Sequence, residues 1–477
     1  MDSRSSERDK VTIEELHREI DRDWTKHLKK TRDLLRIPSV SMTGEGIEET
    51  ADKVSQMISD LGAKPKLFKA SKKSFPLVTG YLDVGSDITG LLYGMYDVMP
   101  VGDLAEWDHP PFGAKIVKDK RFGEILVNRG VSNSKGSLAG SLLAIKTMVD
   151  KGQMPMNIHF MIEGEEEKGG QSLPKYVHAN REKLSKADVA WTLDYCENAN
   201  GVPVIQLGMK GCVYFELEAK GSENGGPMEG EIHSSDAVWV QSPAWRLVQG
   251  LSTLVDEDQR PAVDGLWDDV APPSETDLRL VKKLAKRVDL DEYAKELGIK
   301  KFKFGGSKEE MIKRYLFEPS LNIDGIVSGY IEEGTKTVLP PKAMAKLDVR
   351  LVPNMTIEGT RRKVIDHLWK RGFTEITMRN FDDYPWCKVS PNDIASRACI
   401  EAMRYHGKDP EVWPMTAGSA PLYLFDQVLG VPWCYTGLGH SGRPHAPNEY
   451  AVVKGMKDFE KSVMTVMWKY CELCEHP

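Results

Sequence analysis

The chain has no stretch of about 18 consecutive apolar residues, so nothing in it reads as a membrane span. It has no surplus of positive charge: 64 Lys and Arg stand against 71 Asp and Glu, a formal charge of −7. That balance favours solubility, provides no broad basic face and argues against nucleic acid as a partner. A compact, even cysteine set is missing too. The seven cysteines are scattered from Cys196 to Cys474, which fits a reducing cytoplasm better than a disulfide framework. Cys471 and Cys474 form a CxxC, but at the end of a helical pattern they read as half-buried thiols on a helix tail. Met1–Asp9 is polar and lacks the apolar core of a secretory signal, so a cytoplasmic protein is expected. Internal repeats, low-complexity tracts and long linkers are absent as well. What remains is a globular chain of 477 residues, too long for one compact core and expected to form two domains.

Apolar residues recur at helical spacing over Ile13–Arg36 and Glu48–Leu61, with Ile37-Pro38-Ser39 breaking the pattern between them. Short apolar runs bounded by turn residues follow at Ile88–Tyr93, Asn157–Ile162, Asp188–Leu193 and Pro203–Leu207, and read as buried strands. A helical stretch, Ser137–Val149, lies among them. This alternation predicts an α/β domain on a mostly parallel sheet. After Gly211 the pattern changes. Val213–Ala219, Ala343–Leu351 and Thr374–Met378 alternate as half-exposed strands do, with helices expected at Ser242–Val255 and Ile357–Lys370. They predict a smaller α+β domain over residues 211–383, inserted into a catalytic domain made of residues 1–210 and 384–477. The returning first pattern comprises a helix at Asn392–Tyr405, a strand at Val431–Tyr435 and a terminal helix from Asn448 onward.

The chemistry concentrates at Glu163-Gly164-Glu165-Glu166-Glu167, directly after a predicted strand. Adjacent carboxylates at a strand's carboxyl end repel unless a cation or proton neutralises them, and such strand ends are where open α/β sheets place their sites. On its own the cluster reads equally well as a solvated acidic loop. It occurs, however, with Gly94-x-Tyr96-Asp97-Val98-x-Pro100, Trp107-x-x-Pro110-Pro111-Phe112, Arg129-Gly130-x-Ser132-x-x-Lys135-Gly136 and His445-Ala446-Pro447-Asn448-Glu449. Together these resemble the di-zinc exopeptidase family of carnosinase-type dipeptidases, aminoacylases and glutamate carboxypeptidases. The resemblance is closest to the carnosinase-type dipeptidases and covers nearly the whole chain.

That resemblance implies two metal ions bridged by an aspartate and a water, each with a further carboxylate and a histidine. By position, Glu166 resembles the general base. Glu167, Asp194 and His445 resemble metal ligands, and Asp97 resembles the carboxylate that orients a ligand histidine. Two positions depart from the pattern. Met95 stands where the histidine belongs, and Asn133 stands where the bridging aspartate belongs. A thioether suits Cu(I) far better than Zn²⁺ or Mn²⁺, and Met95 reads more simply as packing in the space an imidazole left. The Asn133 amide offers one neutral oxygen, a poor bridge between dications. The expectation is therefore one divalent ion per chain, zinc or manganese, and not two. It would be held by Glu167 and His445 with help from Asn133 or Asp194. His109 and His440 are further histidines that could compensate, though each reads first as a loop residue.

In the inserted domain, His233 resembles a histidine that reaches across a homodimer to polarise the scissile carbonyl. Arg350, Thr337 and Ser419 resemble groups that hold the substrate's carboxylate end. The leading expectation is a metal-dependent hydrolase of a C–N bond in a small carboxylate-bearing substrate, a dipeptide or N-acyl amino acid, with Glu166 as base. The alternative is a metal-free descendant that binds a small anion or performs non-hydrolytic acid–base chemistry. In that case Lys135, His445 or protons must neutralise the carboxylates.

Overall fold

The computed structural model describes residues 12–221, 225–381 and 383–476. The reading of Met1–Asp9 concerns residues outside that range. Among the described residues no helix is long and apolar enough to cross a membrane.

The chain forms two compact units. The first takes the chain up to Leu207, then Val389–Trp413 and everything from Leu424 onward. Its main sheet has eight strands in the order Lys66–Phe68, Leu77–Leu82, Asn157–Glu163, Thr89–Met95, Val189–Leu193, Trp433–Thr436, Val204–Gln206 and Glu411–Trp413. The four central strands from Asn157–Glu163 to Trp433–Thr436 run parallel, and antiparallel pairings flank them. The sheet is thus mixed, with a parallel centre. Asn157–Glu163 and Val189–Leu193 are buried along their whole length, because helices cover both faces of such a layer. The helix Lys135–Asp150 is rich in small residues and almost entirely buried. A Cβ at Gly140 would lie 2.9 Å from the Phe459 ring, so this glycine lets the terminal helix Val453–Glu475 approach closely.

Two features of this unit differ from the sequence reading. Tyr450–Val452 is a strand, where a helix was expected from Asn448. It joins a four-stranded antiparallel sheet with Lys115–Asp119, Gly123–Val127 and Ser441–Gly442, none of which was anticipated. Pairing with Gly123–Val127 decides the outcome, and the helix begins only at Val453. In addition, Cys399 and Cys434 are linked as a disulfide between the helix Ile394–Tyr405 and the strand Trp433–Thr436. The scattered spacing gave no hint of this pair. Cys471 and Cys474 are free thiols on the terminal helix, as read.

The second unit comprises Gly208–Lys388 and Pro414–Tyr423. Its antiparallel sheet runs in the order Ser320–Ser328, Lys342–Leu351, Gly211–Lys220, Ile376–Asn380. Gly211–Lys220 alternates buried and half-buried positions. Its inward residues Val213, Phe215 and Leu217 form a core with Leu347, Val349 and residues of the helices Pro243–Ser252 and Ile357–Lys370. The sequence pattern places Pro414–Tyr423 in the first domain. Backbone bonds tie it to the second instead: Lys210 N donates to Thr416 O at 3.1 Å, and Thr416 N donates to Gly208 O at 2.8 Å.

Candidate functional site

In the first unit, the strand Asn157–Glu163 delivers the acidic cluster, and the structure divides its carboxylates by role. Glu165 is buried and accepts from Phe75 N, Gln171 N and Ser172 N, which makes it a turn anchor. Glu163 is buried beside the Tyr93 hydroxyl, which donates to it at 3.2 Å. Glu166 and Glu167 follow on a single helical turn. Their backbone is gripped by Asp97, whose two oxygens accept from Glu166 N at 3.1 Å and Glu167 N at 3.0 Å. Asp97 therefore holds the loop that carries the carboxylates, which accounts for its presence beside a methionine. Met95 ends its strand as a buried residue. Burial pushes the Asp97 carboxyl up to about 7, with the Glu167 charge adding to the rise and the two N–H donors opposing it.

Burial likewise drives the Glu166 carboxyl well above the usual carboxylate range, reinforced by the charges of Glu167, Asp97 and Glu163. No donor reaches it among the described residues. A carboxyl shifted in this direction takes up a proton more readily than a free one, as a general base must.

Asn133 stands at the centre of the site. Its amide nitrogen lies 2.7 Å from Glu167 Oε1, to which it donates, and 2.7 Å from His445 Nε2. Its oxygen accepts from the Ser134 hydroxyl at 3.1 Å, and that same hydroxyl lies 3.1 Å from Asp194 Oδ2. Asp194 also accepts from the Tyr435 hydroxyl at 3.3 Å, and burial pushes its carboxyl up to about 6. His445 Nε2 is 3.0 Å from Glu167 Oε1, and this contact raises the imidazole's pKa. Hence Asn133, Glu167, Asp194 and His445 form one connected network.

Two residues that hold this network went unassigned in the sequence. Glu449 is fully buried and accepts from Gly130 N, Ser132 N and Asn133 N at 2.8 to 3.1 Å, and from Arg129 Nη1 at 2.7 Å. Arg129 in turn donates to the carbonyls of His445 and Ala446. This buried pair ties the Asn133 loop to the His445 loop. Its members sit in two of the recognised motifs, and an acid and a base in separate motifs were the available signal.

The other histidines and Lys135 do not join the network. His440 points its Nδ1 at Glu197 O (2.9 Å) and its Nε2 at the Tyr450 hydroxyl (3.1 Å). His109 lies half-buried in the loop after Trp107. Lys135 donates to Ile37 O at 2.6 Å rather than to any carboxylate, and burial lowers it to about 7. It is not the neutralising cation that the metal-free alternative called for; His445 is the base in contact with Glu167. Among the described residues no group of three or more His, Cys, Asp or Glu is poised around a common metal position.

In the second unit the four remaining candidates fall into two pairs. His233 Nε2 is 3.1 Å from the Thr337 hydroxyl across the ribbon formed by Ile232–His233 and Val338–Leu339. Arg350 donates Nη1 to the Ser419 hydroxyl and Nε to Asp348 Oδ1, each at 2.9 Å.

Comparison with known proteins agrees with this architecture. Residues 91–468 match the model of Peptidase family M20/M25/M40. The chain is 31% identical over 294 residues to the human Beta-Ala-His dipeptidase, a match covering 60% of this chain and 55% of that protein. It therefore spans about half the length of that relative. It is 27% identical to the Cys-Gly metallodipeptidase dug1 of Schizosaccharomyces pombe, over 94% of this chain and 97% of that one. The solved structure of an M20 family metallo-carboxypeptidase, Sso-CP2 from Sulfolobus solfataricus, is similar with a TM-score of 0.86 and 34% identity. That match covers 94% of this chain and 99% of the other.

Proposed function

We propose, from the premise that the chain belongs to peptidase family M20/M25/M40, a family of metal-dependent peptide hydrolases, that it cleaves the C–N bond of a small carboxylate-bearing substrate with at most one divalent ion. Membership places it among the hydrolases. The observation that carries the finer reading is the Asn133 amide nitrogen, 2.7 Å from both Glu167 and His445. The donors do not fit a two-ion centre. One terminal ligand is a buried thioether, and the bridge is a neutral amide whose donor end faces the other ligands.

For a single zinc or manganese ion, the residues that would hold it are Glu167, His445 and Asn133, its amide turned to present oxygen, with Asp194 joined through Ser134. Such an ion, when bound, supplies a Lewis acid and acidifies a water. Glu166 accepts the proton, its raised pKa matching that task. Asp97 keeps Glu166 and Glu167 in register through their backbone N–H groups. Arg350 and Ser419 hold the substrate's carboxylate, where the guanidinium fork gives orientation as well as charge. His233 and Thr337 form a second polar pair, which serves the substrate of a partner subunit in a homodimer.

A second reading draws on the same amide. Asn133 satisfies Glu167 and His445 without any ion, which suits a descendant that binds small anions or does acid–base chemistry with Glu166 and Glu167. Turnover of a panel of dipeptides and N-acyl amino acids, with added zinc or manganese and with chelator, separates the two. Metal-stimulated cleavage supports the first reading. No cleavage under either condition removes it and leaves the second.

A further inference from the structure

We propose that the second unit carries a binding site for a second anionic group on the ligand, walled by Lys210, Arg260, Lys303 and Arg314 beside Arg350, which selects substrates whose carboxyl-terminal residue is itself acidic. The proposal deepens the reading that Arg350 and Ser419 hold a substrate carboxylate, and rests on it.

A cavity of about 330 Å³ lies within this unit, and its lining includes five cationic side chains and one carboxylate, Glu318. That volume suits an amino-acid-sized group. Arg260 Nη2 is 3.1 Å from one Glu318 oxygen, and Arg314 Nε is 4.0 Å from the other. The lining thus already receives one carboxylate; of its cations, Arg350 is also paired with Asp348 at 2.9 Å, and the charges of Asp256 and Asp258 act on Lys303. Three of the cations crowd a single ring: Lys303, Arg314 and Arg260 lie 5.2, 5.6 and 5.9 Å from the Phe304 centroid. The ring face offsets part of their mutual repulsion, and an anion would offset more.

Lys210 makes the stronger case, because it is only 4% exposed. Its ammonium donates to a neutral acceptor, the Glu318 carbonyl, at 2.6 Å. Burial lowers it to about 8, the Glu318 charge draws it back up, and the Arg350 charge lowers it further. A buried cation that donates to a neutral carbonyl and lines the same cavity as Arg350 is placed to receive charge from a ligand. The guanidinium forks of Arg260 and Arg314 in the same lining match a planar carboxylate.

The test is calorimetric titration of the full-length protein with Gly-Glu and Gly-Gln, which match in shape and differ in charge. Wild type should bind Gly-Glu about tenfold more tightly or better, the effect of one added charge-assisted hydrogen bond, with the margin narrowing as salt rises. Lys210→Met and Arg314→Gln, each checked for unaltered thermal unfolding, should lose that preference while keeping the Gly-Gln affinity. Arg350→Ala should weaken both peptides. Equal binding of the two peptides by wild type, or a preference that survives in both variants, overturns the proposal. Should neither peptide bind, citrate decides. Citrate binding that both variants lose retains the anion site and removes only the carboxylate-clamp reading, whereas no citrate binding overturns the site itself.

Discussion

Replacing Asn133 by aspartate converts the hub of the candidate site from a donor into an anion. The native amide nitrogen sits 2.7 Å from Glu167 Oε1 and 2.7 Å from His445 Nε2. In Asn133→Asp a carboxylate oxygen would face Glu167 at that separation. Two unit charges about 3 Å apart repel by about 5 kcal/mol at an effective dielectric of about 20. Loss of the amide-to-carboxylate hydrogen bond adds about 1.5–3 kcal/mol. His445, drawn toward its charged form by Glu167, offsets part of this. A net destabilisation of about 3 kcal/mol remains, and at about 1 °C per kcal/mol for a chain of 477 residues the melting temperature in chelator should fall by about 3 °C. The sign reverses with metal. The new carboxylate is a far better ligand than the amide, so zinc in excess should raise the variant's melting temperature by more than it raises the wild type's. Thermal unfolding of both proteins in chelator and in zinc measures all four values. An aspartate variant as stable as wild type in chelator, or one that gains no more from zinc, refutes the view that the amide stands in for a cation.

Glu166→Gln removes a proton acceptor and little volume, so turnover on a cleaved substrate should fall by about two to four orders of magnitude with binding nearly intact. A wild-type rate in that variant would exclude Glu166 as the base. Glu449→Gln leaves Arg129 buried without its counter-charge and should cost about 3–5 kcal/mol in urea unfolding, whereas a loss below about 1 kcal/mol would show that the pair does not anchor the two loops. Sedimentation at micromolar concentration should find a homodimer, and a fully active monomer would remove His233 from its assigned role.

Much of the site was legible because its residues sit at strand ends. Asn157–Ile162 and Ile88–Tyr93 are short, mainly apolar runs, so Glu166 and Glu167 could be placed at the carboxyl end of a buried strand, while Met95 and Asp97 were read through the family resemblance. What escaped was short or non-local. Tyr450–Val452 is three residues long, too few to show a period, and its partner Gly123–Val127 lies far away in sequence. Ser320–Ser328 is mostly exposed and carries an irregularity between Ile323 and Gly325, so its residues lack the alternation that marked its neighbours. Asp97 was assigned to a histidine that the chain does not have. Only coordinates reveal that its oxygens hold the Glu166–Glu167 backbone, since a backbone partner leaves no trace in side-chain identity. The same holds for Lys135, whose charge suggested a counter-ion and whose ammonium instead meets a carbonyl.

The central claim is that Met95 and Asn133 have dismantled the two-ion centre of this family. Elemental analysis of wild-type protein equilibrated with excess zinc and freed of unbound metal tests it most directly. No more than one equivalent per chain should remain, rising toward two when Met95→His and Asn133→Asp are combined. Two tightly held equivalents in the wild type would contradict the account.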